Sequence, residues 1–284
     1  RGDADEVMNL VGEVVRELVG GATEDVVGVG LGVAGLVDAQ QSKVYFAPNL
    51  RWSQVPARLL LEEAVHLPVV VENDGNVAAW GEFRYGAGRD VDDLTLVTVG
   101  TGIGGGIVID GALFRGAHGA AGEIGHINAV PDGRPCGCGR NGCLEQYASG
   151  NALVREARAL AAERRSEAGQ LLALGDGTPE GVQGVHITAA ARAGDPIAIE
   201  AFAIVGAWLG RGLADLAAVL DPEVFVIGGG VSDAGDLLLT SARKVLAEKL
   251  IGLQNRPAPQ VRIAELVNNA GLIGAADLAR QPRR

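Results

Sequence analysis

Apolar residues near the start of the chain recur three and four positions apart. Val7, Leu10, Val11, Val14, Val15 and Leu18 form one stripe, which predicts an amphipathic helix over residues 3–19. Beyond it the runs shorten and the period changes. Residues 26–31 predict a strand, followed by a glycine-rich turn and an extended piece near 44–46, and residues 59–65 predict a second helix. The apolar run 68–72 predicts a short buried strand leading straight into Asn73-Asp74-Gly75-Asn76 and a helix that ends near residue 84. Strands follow at 94–99 and 104–109, and Asp110-Gly111 turns the chain into 112–114. Asp-Gly between two apolar runs is a hairpin signal.

In the second half, residues 151–165 predict a helix and 166–186 a polar, glycine-containing insertion. Asp195 and Pro196 supply an N-cap and a first helical residue for a long apolar helix to about residue 220. A strand at 223–227, a turn at Gly228-Gly229-Gly230, a helix at 236–250, a strand at 261–264 and a helix at 270–279 complete the pattern. Strands alternating with helices predict an α/β protein. Val29-Gly30-Leu31-Gly32 and Val99-Gly100-Thr101-Gly102 each end a β-rich run in glycine, an echo that two related halves would produce.

With 284 residues the chain has room for one large domain or two ordinary ones, and an apolar content of 48% supplies a sizeable core. A net charge of −11 argues against a nucleic-acid-binding surface, which needs clustered Lys and Arg. No membrane span and no signal peptide are expected. Three cysteines that read as metal ligands, with none left to pair, fit a reducing compartment, so a cytoplasmic location is expected. The chain opens on Arg1 rather than on methionine, and is expected to be part of a longer polypeptide.

Two segments match G-x-G-x-x-G, Gly30 to Gly35 and Gly100 to Gly105. A dinucleotide-binding fingerprint must open a helix. Neither does, and no Gly-Lys-Ser/Thr occurs, so Rossmann and P-loop readings are rejected. What remains at Gly100, Thr101 and Gly102 is a strand, a glycine turn and a strand, whose N–H groups and Thr101 hydroxyl can cradle a phosphate. Five glycines in residues 100–106 exceed what an ordinary turn requires.

Cys136, Cys138 and Cys143 fall within eight residues, with His126 ten positions upstream of the first. Four such ligands on a short glycine-rich loop are the inventory of a closed Cys₃His zinc site. Gly137, Gly139 and Gly142 are expected to let the thiolates converge. Asp74 follows a strand and precedes a helix, where α/β folds place their chemistry. It can take the proton of a substrate hydroxyl, or Asp74 or Asn76 can simply cap the helix; position alone leaves both open. Glu123 lies three residues before His126 and Glu145 two after Cys143, so a zinc ion would hold both glutamates on one platform. Carboxylates and amides around a crevice suit a polyhydroxylated substrate.

Several of these pieces occur together and in one order. They are Glu72-Asn73-Asp74-Gly75-Asn76, Gly100-Thr101-Gly102-Ile103-Gly104-Gly105-Gly106, Gly122-Glu123-Ile124-Gly125-His126, the 136–143 loop ending at Glu145, and Gly228-Gly229-Gly230-Val231-Ser232. In this the chain resembles the ROK family (repressor, open reading frame, kinase) from about residue 26 to its end. With Gln146-Tyr147-Ala148-Ser149-Gly150 it is most similar to the actinobacterial glucokinases. The resemblance implies the actin-like ATPase (hexokinase/ribonuclease H-like) fold, two lobes with a cleft. Residues 1–84, completed by a helix at 266–284, would form the small lobe, and 85–265 the large lobe with the zinc loop. It implies ATP-dependent phosphorylation of glucose at the 6-hydroxyl, with Asp74 as general base. Asn73, Glu123, His126 and Glu145 would hold the other hydroxyls, His126 through the ring nitrogen not bound to zinc. Gly100, Thr101 and Gly102 would contact the ATP phosphates, and Gly229 and Gly230 the nucleoside side. Mg²⁺ with the nucleotide, structural Zn²⁺, and a homodimer or homotetramer are implied as well.

The family carries alanine where this chain has Gly75, a change expected to leave the backbone intact. It also opens on a hairpin with Asp-x-Gly-Gly-Thr, which binds phosphate and magnesium; that motif does not occur in these residues, and an N-terminal hairpin is expected to be missing. Other readings are a sugar-responsive repressor of the same family with its DNA-binding segment absent, a kinase for mannose or an N-acetylhexosamine, and a polyphosphate donor in place of ATP.

Overall fold

The structure is a computed structural model and describes residues 4–281. In chain order its first elements are α1 (Ala4–Gly20), β1 (Val29–Val33), β2 (Leu36–Val37), β3 (Val44–Ala47), β4 (Trp52–Val55), α2 (Ala57–Val65), β5 (Val69–Asn73) and α3 (Asp74–Tyr85). Then come β6 (Leu94–Val99), β7 (Ile103–Ile109), β8 (Ala112–Leu113), a 3-10 turn at Ile124–His126, α4 (Glu145–Ala148), α5 (Gly150–Glu163), α6 (Gly169–Leu174) and α7 (Gly184–Arg192). The chain ends with α8 (Pro196–Leu220), β9 (Val224–Gly228), α9 (Asp236–Lys249), β10 (Gln260–Ile263) and α10 (Ala270–Ala279). The strands form a parallel pair β1-β5, an antiparallel sheet β2-β3-β4 and a sheet ordered β10-β9-β6-β7-β8. The α/β expectation holds.

The chain divides into two compact units. One takes the residues up to Leu96, Gly105–Gly122 and those from Glu265 on; the other takes Val97–Gly104 and Glu123–Ala264. Residues 85–96 and 105–122 thus group with the unit holding residue 74, not with the zinc loop as the sequence division placed them. The reason is close packing: a Cβ on Gly106 would sit 2.5 Å from the Ala79 Cβ and 2.7 Å from the Gly75 carbonyl oxygen. The predicted helix start at residue 3, and the lobe ends 1–3 and 282–284, lie outside the described residues.

In the first unit α1 covers α2, and Met8, Leu61, Val69 and Val71 are buried in its core. Strand β1 pairs with β5 from Val29↔Val69 to Val33↔Asn73, which carries β5 to the doorstep of Asp74. Helix α10 packs on α3 with almost nothing between them. A Cβ on Gly274 would lie 1.8 Å from the Val77 carbonyl oxygen, and one on Gly81 2.2 Å from that of Ala270. At the far end the buried Asp277 accepts bonds from Trp80 Nε1 (2.8 Å) and Tyr85 OH (2.5 Å). Burial pushes its carboxyl up, but those donors and Arg84 outweigh it and hold it below the ordinary aspartate value. Buried Glu82 accepts from the N–H groups of Ala87, Glu265 and Leu266, fixing the end of α3 to the segment that enters α10.

In the second unit α8 is the central helix. Asp195 caps it, accepting from Ala198 N (2.9 Å), and also takes Leu171 N (3.1 Å). By length and composition α8 could cross a membrane, with a mean hydropathy of 1.5, against the sequence expectation that no such run exists. Its apolar residues are used in the core: Phe202, Val205 and Leu209 are buried, and α4, α5, α7 and α9 pack around it. The predicted polar insertion at 166–186 is a correction as well. It contains α6, whose Leu171 and Leu172 are buried, and leads into α7. Six residues are too few to show a helical period. Strands β2 and β4 escaped notice for the same reason, β4 showing two exposed residues between buried Trp52 and Val55.

The α3–α10 contact generates a prediction. Alanine is normally favoured over glycine within a helix by about 1 kcal/mol. Here Gly274→Ala should instead destabilise by about 1–3 kcal/mol, because two backbones must separate. Gly169→Ala, with open space around it, should be neutral or mildly stabilising. Thermal unfolding of the two variants checks both signs.

Candidate active site

Asp74 stands at the first position of α3, exposed at the end of β5. The cap of that helix is neither Asp74 nor Asn76 but Asn73, whose Oδ1 accepts from Asn76 N (3.1 Å). Asn73 Nδ2 donates to the Gly35 carbonyl (3.0 Å) and to Asp74 Oδ1 (3.1 Å), and Gly75 N–H also donates to Oδ1 (3.0 Å). Asp74 is therefore oriented by its neighbours without serving as the cap. Although the side chain reaches solvent, the protein atoms packed around its carboxyl desolvate it and raise its pKa above the ordinary aspartate value, against the pull of those hydrogen bonds. A carboxylate shifted this way is a better proton acceptor near neutral pH. Gly75 is not the neutral exchange expected: a Cβ there would sit 2.3 Å from the Gly105 carbonyl oxygen.

In the second unit the predicted metal ligands come together. The ligand atoms of His126, Cys136, Cys138 and Cys143 all lie within 4.8 Å of one another. Cys136 Sγ is 3.7 Å from His126 Nδ1, and the Sγ atoms of Cys138 and Cys143 are 3.6 Å apart. A tetrahedral ion with zinc–sulfur bonds near 2.3 Å needs edges of about 3.7 Å, so the group fits such an ion. The loop is shaped by its own backbone: Cys136 N–H reaches the Arg140 carbonyl (2.8 Å), and Gly142 N–H that of Arg134 (2.8 Å). Of the three glycines singled out, Gly139 and Gly142 take positive φ and Gly137 does not. Burial pushes Cys136 up to about 12, while the Arg140 N–H holds Cys138 down at about 6.

The same loop places the polar groups predicted for a substrate. His126 turns Nδ1 to the cysteines, leaving Nε2 3.8 Å from Glu123 Oε2. Glu145 Oε1 lies 2.9 Å from Cys136 Sγ and 4.0 Å from His126 Nδ1. Its other oxygen lies 2.6 Å from where a Cβ on Gly102 would stand, so the carboxylate rests directly over the glycine turn. Glu123, His126 and Glu145 form one acidic, half-exposed platform beside Gly102.

That turn gathers the remaining predicted residues. Gly35 leads into β2 and Gly105 lies inside β7, so neither glycine motif opens a helix. Thr101 is exposed at the tip, and Gly100 N–H closes on the Gly102 carbonyl (3.0 Å). Val99 O accepts from Val231 N (3.0 Å), bringing the Gly229-Gly230 turn alongside Gly100; Gly229 has φ +84°. Gly150 N–H donates to the Gly100 carbonyl (2.7 Å), so the start of α5, capped by Ser149, faces the same turn. A cleft of about 440 Å³ opens here, lined by Gly150, Val185, Thr188, Arg192, Gly230 and Val231 among others. Sequence reasoning assigned no role to Val185, Thr188 and Arg192, since they sit in the stretch around α7 that showed no readable pattern. The Ser149-Gly150 pair was visible as a likeness but its place was not.

The sequence matches the ROK family over residues 3–282. Glucokinase from Streptomyces coelicolor is 53% identical over 258 residues, covering 91% of this chain and 81% of that protein. The structure is similar, with a TM-score of 0.86, to a ROK family glucokinase from Streptomyces griseus solved in complex with glucose and AMPPNP. That protein is 52% identical, over 96% of this chain and 88% of its own. The xylose repressor of Caldicellulosiruptor bescii is 32% identical over 250 residues, 87% of this chain and 62% of the repressor. With the glycine turn, the Asn73-Asp74 helix start and the Cys₃His loop all in place, the chain belongs to the ROK family and has the actin-like ATPase fold of that family's sugar kinases.

Proposed function

We propose that this protein is an ATP-dependent glucokinase with Asp74 as its general base. The observation that carries the reading is the carboxyl of Asp74, oriented by Asn73 and Gly75 at the end of β5 and not consumed as a helix cap. The similar Streptomyces griseus protein was solved with glucose and AMPPNP, which supports glucose and ATP as the substrates. Asn73, Glu123, His126 and Glu145 hold the other sugar hydroxyls, the carboxylates accepting and the amide and imidazole donating or accepting. Asp74 takes the proton of the 6-hydroxyl as its oxygen bonds to the γ-phosphorus, and the bond from that phosphorus to the ADP oxygen breaks. Gly100, Thr101 and Gly102 offer N–H and hydroxyl donors to the phosphates, with Mg²⁺ accompanying the nucleotide. The cleft beside Gly230 takes the nucleoside. The Cys₃His group holds Zn²⁺, which supplies no step and keeps His126 and Glu145 fixed. The repressor reading has a relative behind it, but identity to that repressor is 32% against 53% to the Streptomyces coelicolor glucokinase, which favours the kinase.

Asp74→Asn should lower kcat by about 10²–10⁴-fold while glucose binding, read by calorimetry, stays nearly unchanged. Stability should move the other way. A carboxyl whose folded pKa lies above its unfolded value favours the fold only at low pH, and that contribution is lost as pH rises through the folded pKa. The variant should therefore melt at or above the parent's Tm at pH 7 and lose that advantage below about pH 4, near the unfolded aspartate pKa. A near-normal kcat would reduce Asp74 to a structural residue.

Metal analysis of protein purified without chelator should return about one zinc per chain. Cys138→Ser should lose it, lower Tm and raise the KM for glucose, since Glu145 and His126 are then released together. Zinc-free protein with full stability would refute the metal assignment. For the nucleotide end, Val185→Trp should fill the cleft and raise the KM for ATP while the KM for glucose stays put. Equal changes in both constants would place the nucleoside elsewhere.

A further inference from the structure

Glu72 is a buried carboxylate, 2% exposed, two residues before Asp74, and the reaction above does not use it. Its Oε1 accepts from Asn73 N–H (2.9 Å) and Asn76 Nδ2 (2.9 Å). Its Oε2 accepts from Arg115 Nε (2.6 Å) and Gln41 Nε2 (3.1 Å). A buried ion pair is weak evidence for stability, because desolvation offsets the attraction. The network carries a further cost, for Asn76 Oδ1 is buried with no partner. Its effect is better sought in geometry, and the geometry it fixes is next to the base. Glu72 holds the Asn73 backbone and the Asn76 side chain; Asn73 in turn caps Asn76 N–H and grips Asp74 Oδ1. Arg115 opens the segment 115–122, which is seated on the same unit: a Cβ on Gly119 would lie 2.0 Å from the Val37 carbonyl oxygen. That segment runs directly into Glu123.

We propose that Glu72, with Arg115 as its counter-ion, is the positioning residue that sets the direction of Asp74, touching neither sugar nor nucleotide. The inference rests on Asp74 being the base.

The test uses the full natural chain and steady-state kinetics at a temperature well below unfolding. Glu72→Gln should lower kcat by about 10²-fold, as misplacement of a reacting group does, with both KM values within about threefold of the parent. In an Asp74→Asn background the same change should cost nothing further in residual turnover, because there is no base left to aim. The neutral pair Glu72→Gln with Arg115→Met should regain stability without regaining kcat. If Glu72→Gln alone does not fold, that double variant carries the test. A folded double variant with the parent's kcat would overturn the inference. So would an equal loss in the Asp74→Asn background, the mark of general damage. A parent protein with no ATP-dependent hexose phosphorylation would overturn the functional reading and the inference together, and is recognised before any variant is made.

Discussion

Helix α3 is held by backbone contacts, and the position of Asp74 depends on them. Along its length the helix meets other chain segments where a side chain would ordinarily stand. Gly75 faces the Gly105 carbonyl, Gly81 faces Ala270, and Gly274 of α10 faces Val77. Close packing of this kind resists displacement because no flexible side chain can absorb it. The polar anchors sit at the two ends: Asn73 and Glu72 at the start, Glu82 and Asp277 near the close. A helix so fixed can present one carboxylate at its first residue with little freedom to wander.

The second unit uses the same device on its central helices. Gly206 and Gly210 of α8 face the Leu238 and Ala242 carbonyls of α9, each 2.4 Å from where a Cβ would stand. Two helix pairs, one in each unit, thus pack through glycines: one from each helix in the α3–α10 pair, and two from α8, four residues apart, against α9. The sequence echo between residues 29–32 and 99–102 does not extend to the strands, for residues 29–32 lie inside β1 whereas β6 ends at Val99 and Gly100–Gly102 form the turn after it.

What could be read from the chain followed the physics of each element. Long apolar patterns such as α1 and α8, and the strand at 94–99, were legible because their periods run for several repeats. So was the clustering of His126, Cys136, Cys138 and Cys143, since these residues lie close in sequence and carry their own chemical identity. Elements of two to six residues, β2, β4, α4 and α6, were not, because tertiary burial rather than pattern decides them. At the site, Asp74 could be named but not separated from a capping role; that needed the Asn73 Oδ1 to Asn76 N bond. Glu72 with Arg115 was illegible for another reason. The two are 43 residues apart, and only the fold makes them a pair.

Residues 69–85 and the loop at 131–142 meet the same need for rigidity with different materials, and composition explains why. Residues 69–85 have Val69, Val71, Val77, Ala79 and Trp80 to bury, so apolar packing and glycine contacts suffice there. Residues 131–142 have almost nothing to bury: Asp132, Gly137, Cys138, Gly139, Arg140 and Asn141 are neither apolar nor enclosed. A loop of this kind does not lose enough apolar surface to offset the entropy of ordering it. A metal ion bound by His126, Cys136, Cys138 and Cys143 would supply that free energy directly, because binding to a loop and ordering it are one event. It would also account for the placement of the four side chains. His126 and Cys143 flank the loop and adjoin the segments that carry Glu123 and Glu145, so an ion fastening the loop would aim both carboxylates at once.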